Sequence, residues 1–139
     1  MNESTGQDVF DKRDRGSGAL KDYAFNLVPR SKKTRIRLAG SDAYQDELRK
    51  ILENDEGEIE TAISHRTLDE ERVDAPVEVR LFTGRRVSGV VGIVPRGLEP
   101  AIEEALTRLE NGGKKTRIPV DIISTRHGLR VDLLMGATR

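Results

Sequence analysis

The feature that most constrains the fold is an alternating stretch followed by a glycine turn. Residues 77–81 read Val-Glu-Val-Arg-Leu, the pattern of a strand with one buried face and one solvated face. The pair Thr83-Gly84 predicts a turn, and residues 87–94, nearly continuous in Val, Ile and Gly, predict the returning strand. The chain must therefore fold around a β-hairpin whose inner face needs a partner layer.

Helical spacing of apolar residues predicts two helices beside this hairpin. The first spans residues 43–53, with Asp42 as N-cap and Gln45 completing a capping box. The second begins at Pro100, because proline suits the first turn of a helix. Further strands are predicted at residues 35–38, 58–64, 118–123 and 129–134. The order β-α-β-β-β-α-β-β predicts an α+β fold, a small six-stranded OB-like β-barrel or curled sheet capped by two helices.

The N-terminal residues predict a tail. Residues 1–32 are rich in charged and small residues without apolar periodicity, so we expect a disordered basic tail before one domain over residues 33–139. Residues 1–38 hold nine Lys/Arg against five Asp/Glu, a net +4, and the remainder carries −4. Such a tail either holds a polyanion loosely or is simply solvated. A short apolar island over residues 23–28 is able to dock on the domain.

Composition argues against several functions. The chain has no Cys, which excludes disulfides, thiolate nucleophiles and Cys-ligated zinc. No window approaches the roughly 20 apolar residues of a membrane span, so we expect a cytoplasmic protein without a membrane partner. His65 and His127 match no metal-binding spacing, and the acidic run over residues 69–74 lacks the ligand spacing of a calcium loop. We expect no enzymatic activity, no metal and no cofactor.

Basic residues gather at two predicted connections and are the candidate nucleic-acid-binding residues. They are Arg85 and Arg86 at the hairpin tip, and Lys114, Lys115 and Arg117 after the second helix. Small barrels bind single strands in a basic groove that carries aromatic stacking platforms. Phe82 and Tyr44 are the aromatic residues inside the predicted domain, and the helical stripe favours a core position for Tyr44.

Two stretches resemble HIRAN domains. Residues 38–48, Leu-Ala-Gly-Ser-Asp-Ala-Tyr-Gln-Asp-Glu-Leu, are similar to the family's opening, in which a first strand ends in Gly and a Tyr-Gln-x-x-Leu helix follows. The hairpin over residues 77–92 is similar to the family's central hairpin, and Pro95-Arg96 with the following helix stands in the matching place. The order of elements agrees from about residue 35 to residue 136.

The resemblance implies an OB-like barrel that binds single-stranded DNA or DNA 3′ ends. HIRAN domains occur fused to helicase-type remodelling enzymes and also alone in bacteria, so the resemblance implies a stand-alone bacterial-type module. In the family, an Asn-Pro-Tyr-Asp-type loop before the central strand helps to grip the terminal nucleotide. Residues 71–76 read Glu-Arg-Val-Asp-Ala-Pro at this place.

Two other functions stay open at the level of sequence. A protein–protein interaction or assembly domain that has lost the DNA site is favoured by the acidic body and the scarcity of aromatic residues. An enzyme with an unrecognised site ranks last, because no nucleophile–base pair or metal-ligand set is apparent.

Overall fold

The computed structural model describes residues 12–54, 57–84 and 86–139. Within these residues the chain forms seven strands and three α-helices. In order they are β1 Ile36–Arg37, α1 Gln45–Asn54, β2 Ile59–Ala62, α2 Leu68–Arg72, β3 Glu78–Thr83, β4 Arg86–Val87, β5 Gly92–Ile93, α3 Glu99–Asn111, β6 Val120–Thr125 and β7 Gly128–Leu133. The predicted α+β class is confirmed, and α2 is an additional helix in the charged segment that precedes the hairpin.

The strands form two antiparallel sheets. One has the order β1-β7-β6, and in the other β3 pairs with β2 on one edge and with both β4 and β5 on the opposite edge. Single backbone bridges connect the sheets at two points, Ala39 with Ile93 and Glu60 with Pro119. The described residues form no closed barrel, which corrects the predicted six-stranded barrel. β1 and β5 have two residues each, too few to extend a ladder from one sheet into the other.

The predicted hairpin is confirmed, and its returning strand is broken into two pieces. Val79 is completely buried. Phe82 stands opposite Val87 of β4, whereas Val79 stands opposite Gly92 of β5. Between these two pairs, β3 has two residues (80 and 81), whereas the returning half of the hairpin has four (88–91). Such an insertion is a bulge, which curves the sheet around its inner face.

The core lies between the two sheets and α3. The predicted apolar stripe of α3 is buried and comprises Ile102, Ala105, Leu106 and Leu109. Pro100 stands in the first turn of this helix, as predicted. α1 adds Leu48 and Ile51 to the same cluster.

Residues 12–32 pack against the sheets. The prediction of a disordered tail over residues 1–32 is therefore wrong for residues 12–32, and residues 1–11 lie outside the described residues. Asp14 is only 4% exposed. Its carboxylate accepts hydrogen bonds from the backbone N–H groups of Ser41 (2.9 Å) and Asp42 (3.1 Å). It thereby caps the 3₁₀ helix Ser41–Tyr44 that leads into α1. This long-range cap replaces the predicted capping box of Asp42 and Gln45.

A buried guanidinium holds this segment in place. The side chain of Arg130 in β7 is 2% exposed, and its Nη2 donates to Asp42 Oδ1 at 2.7 Å. Its Nε lies 3.7 Å from Asp14 Oδ1. Gln45 forms no capping box because its amide hydrogen-bonds to the backbone N–H and C=O of Leu129. Polar contacts from β7 thus fix both the N-terminal segment and the start of α1.

We expect Asp14→Ala to lower the free energy of unfolding by about 2–4 kcal/mol, because it removes a helix cap and one partner of a buried cation. Urea unfolding measures this change, with Arg15→Ala as a control at an exposed position in the same segment. An unchanged midpoint for Asp14→Ala would show that the segment does not dock in solution.

Tyr23 anchors the next part of the segment. It is 3% exposed, and its hydroxyl oxygen has no hydrogen-bond partner among the described residues. Burial raises the pKa of the Tyr23 phenol to about 12, with a further rise from the neighbouring Asp22 carboxylate and an opposing effect of Arg108. The predicted docking of the apolar island is confirmed for Tyr23, whereas Phe25 in the same island is fully exposed.

Tyr23→Phe should leave stability at neutral pH unchanged or raise it by up to about 1 kcal/mol, because the variant removes a buried hydroxyl without a partner.

Between pH 10 and pH 12 the unfolded wild-type chain releases the phenolic proton while the folded chain keeps it. Wild-type stability therefore falls by roughly 1.4 kcal/mol per pH unit in this window. Denaturant unfolding across the window tests this: Tyr23→Phe should lose less stability than Tyr44→Phe. Equal losses would contradict the assignment.

Candidate nucleic-acid interface

Arg117 joins the exit of α3 to the hairpin. Its guanidinium carbon lies 3.7 Å from the centroid of the Phe82 ring. Its Nη1 lies 3.7 Å from Glu60 Oε1, and Glu60 stands opposite Phe82 in the β2–β3 register. Residues opposite each other in a ladder project from the same face of the sheet. Through Arg117, one of the two predicted basic clusters therefore reaches the outer face of the hairpin.

Three further exposed residues lie on this surface, and the first is Glu78, which projects from the same face of β3 as Phe82. Arg80 precedes Phe82 by two positions on β3, so it projects from the same face, and it is exposed. Val87 stands opposite Phe82 on β4 and is 50% exposed. We call Glu60, Glu78, Arg80, Phe82, Val87 and Arg117 the Phe82 face. It combines a partly exposed aromatic ring and an apolar neighbour with two guanidinium groups.

One of the two cations of the Phe82 face, and two lysines close to Arg117 in sequence, lack an acidic partner among the described residues. Arg80 forms no ion pair with any described residue, and the same is true of Lys114 and Lys115, which are exposed just before Arg117. Arg117 is partly balanced by Glu60, yet its side chain remains 32% exposed. One side of its guanidinium contacts the ring.

The hairpin-tip arginines do not join the Phe82 face. Arg86 is exposed but stands opposite Thr83, whose side chain is buried on the inner face. Successive residues of a strand project from opposite faces, so Arg86 leaves β4 on the side away from Val87. Arg85 lies outside the described residues.

Sequence reasoning missed Arg80 as a site residue and treated Phe82 only as one of two aromatic residues in the domain. The signal was present, because residues two apart on a strand share a face. The contact between Arg117 and Phe82 had no such signal. It depends on how the chain after α3 returns to β2, through the bridge between Glu60 and Pro119.

The histidines and the acidic run have other partners. His65 Nδ1 lies 3.1 Å from Glu103 Oε1, and His127 Nδ1 lies 3.5 Å from a guanidinium nitrogen of Arg13. The acidic run lies largely on α2, which begins with a capping box formed by Thr67 and Glu70. Across the described ranges, no group of three or more His, Cys, Asp or Glu side chains is placed to hold a metal ion.

Comparisons with protein-family models, with curated proteins and with solved structures find no match to the chain. The resemblance to HIRAN domains therefore stays a prediction from residues 38–48 and the hairpin. In the part of the chain that the structure describes, no helix has the length and apolar character needed to cross a membrane.

We expect the side-chain proton resonances of Arg117 to be shifted upfield by the Phe82 ring current, since the guanidinium lies over the ring. Phe82→Leu should return them to ordinary values and cost only about 0.5–1 kcal/mol of stability from the lost cation–π contact, beyond any change in packing. Heteronuclear NMR spectra measure the shifts, and Phe25→Leu is the control. Unshifted Arg117 resonances in the wild-type protein would contradict the stacked arrangement.

Proposed function

We propose that this chain is a non-catalytic nucleic-acid-binding module that holds single-stranded DNA on the Phe82 face. The observation that carries the proposal is the stacking of Arg117 on Phe82. The guanidinium of Arg117 lies against the partly exposed aromatic ring of the hairpin. The resemblance to HIRAN domains adds a preference for strands with a free 3′ end.

The chemistry of the Phe82 face suits a single strand. Unpaired bases stack on aromatic rings and on the planes of arginine guanidinium groups. The exposed part of Arg117 and the ring of Phe82 offer both kinds of surface. Arg80, Lys114 and Lys115 supply positive charges for the phosphates, and Val87 offers an apolar contact to a base or sugar.

The connections between the sheets support the OB-like part of the proposal. Two isolated bridges, Ala39 with Ile93 and Glu60 with Pro119, join the two sheets into a curled but unclosed arrangement, which is compatible with an OB-like fold. In OB-folds the sheet face formed by strands 2 and 3 binds oligonucleotides. In this chain α1 separates β1 from β2 and α2 separates β2 from β3, so the strand numbers do not correspond one to one; the Phe82 face shares with that surface its place on the outer side of a curled sheet.

We expect the double variant Arg80→Glu/Arg117→Glu to bind a fluorescently labelled oligothymidine at least roughly tenfold more weakly than the wild-type protein. The reason is that two phosphate-binding charges are reversed, so the salt dependence of binding should also become shallower by about 2 in logarithmic slope. Fluorescence anisotropy titrations at several salt concentrations measure both quantities. Arg86→Glu should have a smaller effect, because Arg86 leaves β4 on the opposite side.

Matched controls separate this surface from net charge and from general destabilisation. Arg72→Glu/Arg126→Glu changes the net charge equally at two exposed positions outside the Phe82 face. Phe82→Leu should weaken binding by about 1 kcal/mol or more through lost stacking, whereas Phe25→Leu should not. Equal losses for the two double variants, or no binding at low salt, would reject the proposed interface. Equal affinities for free and blocked 3′ ends would reject the end preference alone.

A protein-interaction domain is the second candidate, favoured by a separate observation. Phe25 is fully exposed, and Leu68 and Val73, at the two ends of α2, are 76% and 75% exposed. Contiguous exposed apolar patches, and not single exposed side chains, mark interaction surfaces, so this candidate requires these side chains to act together. A protein that binds no oligonucleotide at low salt would favour this candidate over the first.

A further inference from the structure

A second basic surface lies where the N-terminal segment meets the C-terminal residues. A depression of about 730 Å³ opens between residues 32–35 and residues 134–139. Four of its lining residues are cationic: Lys32, Lys33, Arg35 and Arg139. It shares no residue with the Phe82 face.

The backbone fixes the shape of this depression. The N–H of Gly136 donates to the carbonyl oxygen of Thr34 at 3.0 Å. A Cβ at residue 136 would lie 2.0 Å from the carbonyl oxygen of Lys32, so only glycine permits this approach. The close contact between the two backbone segments holds residues 32 and 33 next to the C-terminal residues. The backbone therefore sets the shape of this side of the depression.

The cations of the depression are unequally balanced. Arg35 is neutralised by Asp121 at 3.0 Å and by Asp132 at 3.3 Å. Lys32, Lys33 and Arg139 form no ion pair with any described residue. Like charges gathered in one depression repel each other, and a multiply charged anion relieves that repulsion. The charge distribution therefore favours a dianion over a single carboxylate.

The remaining lining indicates an organic ligand. Leu134 and Ala137 add apolar surface beside the cations. A volume of 730 Å³ lies within the roughly 300–1,000 Å³ of small-molecule sites. We propose that this depression binds an organic phosphate of nucleotide size, with the phosphate at Lys32, Lys33 and Arg139 and the organic part against Leu134 and Ala137.

The phosphate has two possible sources, a free nucleotide or a nucleotide within a strand. Leu134 also lines a neighbouring depression of about 340 Å³, together with Ile59 and Pro119 of the β2–β6 junction. That junction adjoins Glu60 of the Phe82 face. Glu58 and Asp121 also line this intermediate depression, and Ile59 projects from the opposite face of β2 to Glu60, so a strand bound at the basic depression need not touch the Phe82 face.

NMR titrations of the full chain with thymidine 5′-monophosphate, inorganic phosphate and thymidine test the site. The nucleotide should shift the amide signals of residues 32–35 and 134–139 and bind more tightly than inorganic phosphate, while thymidine should bind most weakly. Lys32→Glu/Lys33→Glu should weaken nucleotide binding by roughly tenfold or more, since two phosphate-contacting charges are reversed. Lys21→Glu/Lys50→Glu is the matched control at exposed positions outside the depression.

Two outcomes overturn the inference: no shifts at these residues with any probe, or equal nucleotide affinity in the two double variants. A 5′-phosphorylated oligothymidine of about ten nucleotides identifies the source. If the oligothymidine binds more tightly than the mononucleotide, and Lys32→Glu/Lys33→Glu abolishes this difference, the site belongs to a strand. If the two ligands bind equally well, the site belongs to a free nucleotide. The Arg80→Glu/Arg117→Glu variant should keep mononucleotide binding, so a failure of the Phe82 face is distinguishable from a failure of this depression.

Discussion

The sheet that contains β2, β3, β4 and β5 depends on the pairing of β3 along both of its edges. β2 covers one edge, and β4 and β5 divide the other between them. The inner side chains, Val79 and Leu81, are completely buried, and the outer positions of the strand carry Arg80 and Phe82. Because the same strand supplies the core and the proposed binding surface, the position of Phe82 is fixed by aliphatic packing on the reverse side. A rigid platform of this kind loses little conformational freedom on binding.

Buried charge gives the N-terminal segment its place. Arg130 has no solvent to balance its charge, so it is stable in the folded protein only with Asp14 and Asp42 beside it. Asp14 in turn satisfies backbone N–H groups at the start of the Ser41–Tyr44 helix. The three side chains are separated in sequence and become one unit on folding, and the segment that they hold also carries Lys32 and Lys33 to the basic depression.

The two proposed binding surfaces arise in the same way from a chain with no net charge. Many of its carboxylates are engaged in ion pairs, among them Asp132 with Arg37 and Glu103 with Arg66. Among the described residues, internal pairing of this kind leaves Arg80 without an acidic partner at the Phe82 face, and Lys32, Lys33 and Arg139 without one at the depression. The local imbalance of charge at a surface, and not the net charge of the chain, therefore determines the attraction for an anionic ligand. It also makes the binding of such a ligand sensitive to salt concentration.

The sequence by itself determined the α+β class, the hairpin, both long helices and the buried stripe of α3, because alternation and helical spacing report which side of a local element must leave water. It did not determine the ordering of residues 12–32, the cap from Asp14, the division into two sheets or the contact of Arg117 with Phe82. Each of these joins residues far apart in the chain, and no local pattern reports on the distance between such residues. Only the tertiary structure decided which cations meet an aromatic ring, which meet a carboxylate and which are left without a partner.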